Sequence, residues 1–109
     1  MRRLIVAAVI MAVVLVAMPY PAKAIMTGND LYPNLQHAQN SIEYQSIALY
    51  VIGVADGGDK VYFDIPPGVN ATQLTDIVKK YLQSYPQLRH LRASDIVIRA
   101  ISKSFPLNK

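Results

Sequence analysis

Asp64–Leu82, DIPPGVNATQLTDIVKKYL, stops one element and launches another. Ile65 and Pro66 each precede a proline, which pushes both out of the helical region. Gly68 lets the chain turn. Asn70 then stands three residues before Gln73, an asparagine version of the capping box, with Val69 and Leu74 at the positions of a hydrophobic staple. Leu74, Ile77, Val78, Tyr81 and Leu82 fall on one stripe of a 3.6-residue period. Lys79 and Lys80 lie off it, in the half where cations suit the helix dipole. The stretch aims an amphipathic helix, and it implies a helical protein.

The same pattern extends on both sides. Upstream, Ser41 to Val54 carries Ile42, Ile47, Ala48, Tyr50, Val51 and Val54 at helical spacing. Leu49 and Ile52 widen that face, which predicts a central helix touched on several sides. Ser41 or Asn40 is its cap, and Gly57-Gly58 is its predicted stop, by left-handed geometry. A short helix is expected from Asn29 to His37, with Pro33 in its first turn, where a missing donor costs little. Downstream, Pro86 ends the capped helix. A last helix is expected from Leu91 to Ser104, with Ile96, Val97, Ala100 and Ile101 on one face. Lys60–Ile65 has β-branched and aromatic residues in partial alternation and is expected to be extended, without a partner strand. The expected fold is therefore all-α: a small bundle of about four helices with one irregular or extended connection between the second and third.

The N-terminus sets the compartment. Met1-Arg2-Arg3 is basic, Leu4–Met18 is apolar, Pro19 and Pro21 break any helix, and Ala22-Lys23-Ala24 offers small residues for cleavage. That order predicts a secretory signal peptide over residues 1–24. The apolar run is short of the roughly 20 residues of a membrane span, an uncleaved anchor being the alternative. Residues 25–109 are then one exported domain, with no membrane attachment after cleavage. Arg2, Arg3 and Lys23 leave with the signal, so eleven basic residues fall to eight against seven acids. The basic balance reports targeting, and no nucleic-acid partner is expected. The chain has no cysteine, which excludes thiolate metal sites and disulfides.

Chemistry is sparse. His37 and His90 have no ligand-spaced neighbours, and no metal is expected. Asp56-Gly57-Gly58-Asp59 lacks the rest of a calcium loop. Glu43 has no paired carboxylate for glycoside chemistry. Ser94, Asp95 and His90 supply triad residue types, but Ser94 reads as a helix-start serine. Asn70-Ala71-Thr72 matches a glycosylation acceptor and reads better as a cap. No phosphate loop appears, and no cofactor is expected. The inventory favours binding over catalysis, with no catalytic residue.

An ordered set of short motifs narrows the binding class: Met26–Leu31 (MTGNDL), Tyr50–Asp56 (YVIGVAD), Ile65–Val69 (IPPGV), Gln73-Leu74, Val78–Leu82 (VKKYL), Tyr85-Pro86, Arg89–Leu91 (RHL), Ala93-Ser94 and Phe105-Pro106. In this order the chain resembles the Tai-type family, small periplasmic immunity proteins that neutralise type VI secretion amidase effectors. The resemblance implies a helical, often homodimeric, non-enzymatic protein that blocks the active-site groove of a peptidoglycan amidase. Members commonly carry cysteines where this chain has Ile47, Asp64 and Leu107. Loss of a bridge removes about 2–5 kcal/mol from a small secreted domain. Ile47 and Leu107 can offset part of this by burial, whereas Asp64 must reach the surface or cap something.

A blocker needs a stiff scaffold and a projecting loop, so that little ordering entropy is lost on binding. The connection from Gly57 to Gly68, with Asp59, Lys60, Tyr62 and Phe63, is the first candidate interface. Tyr85, Arg89 and Arg92 form the second, being residue types of interface hot spots. The competing reading is an exported helical adaptor or envelope protein that binds another protein partner without catalysis.

Overall fold

The computed structural model describes residues 25–108; the expected signal peptide lies outside the described residues. Among these, four α-helices run in the order α1 (Gly28–Leu35), α2 (Ile42–Gly58), α3 (Ala71–Ser84) and α4 (Ala93–Ser104), with a 3-10 turn at Pro86–Leu88. Strand pairing among the described residues is confined to isolated bridges, so the fold is the expected all-α bundle.

α3 forms as its sequence dictates. The Gln73 N–H donates to Asn70 Oδ1, and the Asn70 N–H donates to Gln73 Oε1, each at 2.9 Å. This reciprocal cap satisfies two orphan donors and is worth about 1 kcal/mol. Gly68 turns the chain at φ 90°. Leu74, Val78 and Leu82 are buried, with Ile77 and Tyr81 half-buried beside them.

α2 packs against α3 and α4, and α1 closes over all three. Ser41 Oγ accepts from the Tyr44 N–H at 3.1 Å, as the cap reading expects. Tyr44, Ile47, Ala48, Val51 and Ala55 point inward. Ile47, at a position where the Tai-type resemblance places a cysteine, is thus core. Leu49 and Ile52 do not fill the role expected of them. They join Ile42 on the outward face, where Ile42 is 85% and Leu49 69% exposed. The apolar residues of α2 nearly encircle it, whereas the other helices cover one side.

Four helix boundaries differ from expectation. α1 starts earlier, because Thr27 is its cap: the Thr27 N–H donates to Asp30 Oδ2 at 2.8 Å. Pro33 therefore lies inside the helix and not in its first turn, and the helix stops at Leu35, short of His37. α4 begins at Ala93, because residues 91 and 92 are engaged with α1: the Gly28 N–H donates to Leu91 O at 3.0 Å, and Thr27 pairs with Arg92. α2 runs through both glycines. The left-handed residue is Lys60, at φ 68°. Gly58 serves packing: a Cβ there would stand 2.7 Å from Phe63 Cζ.

Candidate partner-binding loop

The segment after α2 is a tight turn folded back on the bundle, where the sequence suggested an extended run. Past Lys60, the Val61 and Tyr62 N–H groups both donate to Gly58 O, at 3.0 and 2.9 Å. The Lys60 N–H donates to Phe63 O at 2.7 Å, and the Ile65 N–H to Asp59 Oδ1 at 2.9 Å. Two further bonds tie the turn to the C-terminal segment. Ser102 Oγ donates to Tyr62 O at 3.2 Å, and the Asp64 N–H donates to Phe105 O at 3.2 Å, beside an antiparallel bridge between Phe63 and Pro106.

These bonds sort the expected interface residues. Phe63 is fully buried, among the largest such side chains in the core, and so supports the loop from beneath. It turns inward because Gly58 leaves room for its ring. Tyr62 (54% exposed) and Val61 (59%) face solvent, as does Lys60. Asp59 is half-buried, its carboxylate spent on the Ile65 amide. The loop thus presents Lys60, Val61 and Tyr62 on a backbone that is already fixed. Val61 carries no distinctive sequence signal.

Asp64 meets the requirement set by its position. Its carboxylate accepts the Asn108 N–H and pairs with Lys60 Nζ at 3.0 Å. These contacts, the Asn108 amide first, hold its carboxyl below the usual carboxylate range. A folded-state value below the unfolded one means stabilisation present above about pH 4 and lost as pH falls through the depressed value. Asp64→Asn is therefore expected to melt below the parent protein at pH 7. The two melting curves converge as pH falls through the depressed value, where the parent's carboxyl is itself protonated. Thermal melts from neutral to acid pH check this; a gap that does not narrow as pH falls contradicts it.

The second group of expected residues is not brought together. Tyr85 sits at the end of α3 against Tyr81, ring centroids 4.7 Å apart, and accepts a hydrogen bond from Lys103 Nζ at 2.5 Å. Arg89 turns the other way. Its Nε donates to Leu82 O at 2.8 Å and its guanidinium lies 3.7 Å over the Tyr32 ring. Arg92 is exposed at the start of α4. Arg89 thus clamps α1 to the turn after α3, a contact across 57 residues that no local pattern signals.

His37 and His90 are both exposed. Among the described residues no cluster of His, Asp or Glu has the composition of a metal site, and no helix is long and apolar enough to cross a membrane. Comparison with known families places a match over this architecture. A family model described as Rap1a immunity proteins matches residues 27–107, a span that takes in all four helices and the loop. No curated protein matches the chain.

Proposed function

Because the chain belongs to the Rap1a immunity protein family, we propose that it is a periplasmic, non-enzymatic antitoxin of the Tai type, which binds and inhibits a peptidoglycan amidase effector delivered by type VI secretion. The family supports the immunity role. The ordered motifs from Met26 to Pro106 support the Tai type and the amidase, and the order of residues 1–24 supports export. The observation that carries the mechanism is the loop. Tyr62 is exposed while its backbone is bonded and its neighbour Phe63 is locked in the core. Such a preorganised aromatic loses little entropy when it enters a groove.

The test is co-purification with the amidase encoded beside this gene, followed by peptidoglycan cleavage in vitro. A stable complex and loss of cleavage are expected. An amidase that neither binds nor is slowed overturns the reading.

A homodimer belongs to the same proposal, through the outward face of α2. Gly53 and Gly57 have open space where a Cβ would stand, with no atom beyond their own stretch of helix backbone within 4 Å among the described residues. An antiparallel two-fold crossing at Leu49 sets the bulky half of this stripe, Ile42 and Gln45, against that glycine half of a second copy. A surface that complements itself in this way suits an isologous interface. Leu49→Lys is expected to convert a dimer to a monomer without loss of helicity, read by light scattering and circular dichroism. A parent protein that is already monomeric at tens of micromolar contradicts the arrangement.

A further inference from the structure

The turns that end α3 and α4 enclose a groove of about 280 Å³ that neither the loop nor the α2 face uses. Ile77 and Ala100 are among its apolar lining, with Tyr81 and Tyr85 beside them and Lys80 and Lys103 adding positive charge. From this geometry we infer that the groove is a receptor for an acidic side chain of the toxin: a glutamate or aspartate carboxylate seated between Lys80 and Lys103, its flanking chain laid on the Tyr81–Tyr85 pair. The inference rests on the immunity reading above and names the chemistry of the partner.

The charge is uncompensated where it matters. No carboxylate is among the lining residues. Two helix C-termini converge here, but each brings only about half a negative charge, against two full positive charges. The mouth therefore keeps a net charge of about +1 by that count. The position of one cation is also set in advance. Lys103 Nζ donates to Tyr85 Oη at 2.5 Å and stands 4.9 Å from that ring's centroid. Hydrogen bonding to Tyr85 raises its pKa, so it stays charged. One donor is used, and two of the ammonium's three remain for a ligand. The volume suits one or two side chains, and the apolar lining suits methylenes, a match to a peptide segment over a bare anion.

Two measurements test this. The first compares the parent protein with Lys80→Glu/Lys103→Glu in binding the adjacent-gene amidase at low and high salt. Both lysines are exposed or rim residues, and unchanged melting curves verify the fold of the variant. Affinity is expected to fall by about tenfold or more, chiefly through slower association, with a flatter salt dependence. The second follows backbone amide shifts as the protein takes up a capped glutamate-rich hexapeptide, inorganic phosphate, or vesicles containing anionic lipid. Shifts at Lys80, Tyr85 and Lys103 with the peptide, absent in the double variant, are expected. An unchanged amidase affinity together with no peptide shifts overturns the receptor and leaves the antitoxin reading standing. Peptide shifts in a protein that ignores the amidase sink the antitoxin reading and keep the groove. Shifts with phosphate or vesicles that equal or exceed those with peptide overturn the assignment to an acidic peptide.

Discussion

Phe63→Ala is expected to destabilise the protein by about 3–5 kcal/mol, the usual range for truncating a buried phenylalanine. A domain of this size has roughly 5–10 kcal/mol in all, so the loss is about a third of the total or more. The ring is fully buried, lies against Gly58, and sits at the only point where the loop pairs with Pro106 among the described bridges. Removing it leaves a cavity under the turn that holds Lys60, Val61 and Tyr62. Denaturant melts should show the midpoint falling, and toxin binding should weaken in step because the loop loses its support. Phe63→Leu, which keeps most of the volume, should recover a large part of both. A loss under 1 kcal/mol for the alanine variant contradicts the packing described for this residue.

The adjacent position should behave in the opposite way. Tyr62→Ala removes a half-exposed ring, while the bond that Ser102 makes goes to the Tyr62 carbonyl and survives the change. Stability is therefore expected to stay within about 0.5 kcal/mol of the parent. Affinity for the proposed amidase partner should fall by about 2 kcal/mol or more, roughly 30-fold, as for an aromatic hot spot. Titration calorimetry beside a thermal melt separates the two effects. If Tyr62→Ala binds like the parent, the loop is not the docking surface, whatever the fate of Phe63→Ala. Two neighbours with crossed phenotypes, one losing fold and the other losing only affinity, are what a presented loop on a rigid base requires.

The helices were largely legible because their signals are local. Asn70 and Gln73 lie three apart and cap each other as their spacing says. The stripes of α3 and α4 fall on the core because periodicity specifies a face. The candidate site was half legible. The sequence marked Lys60–Phe63 as an aromatic and charged connection, but not which side chain faces in. That depends on Gly58, whose missing Cβ reads equally well as a helix stop and as room for a ring. The residue type of Arg89 suggests an interface, but its stacking on Tyr32 is set by tertiary proximity, which no local pattern carries. Leu49 and Ile52 show another limit. An apolar residue on a helix asks for cover, but its identity does not say whether the same chain or another one supplies it.

The ties from the loop to Ser102 and Asn108 span 40 and 44 residues and run forward along the chain. A polypeptide is made from its N-terminal end, so these ties wait on residues made well after the loop itself. Until residues 102–108 are present, Phe63 lacks the segment it pairs with and the Tyr62 carbonyl lacks its Ser102 donor. The presented form of the loop thus depends on a distant segment, and a chain cut short of residue 102 lacks both ties.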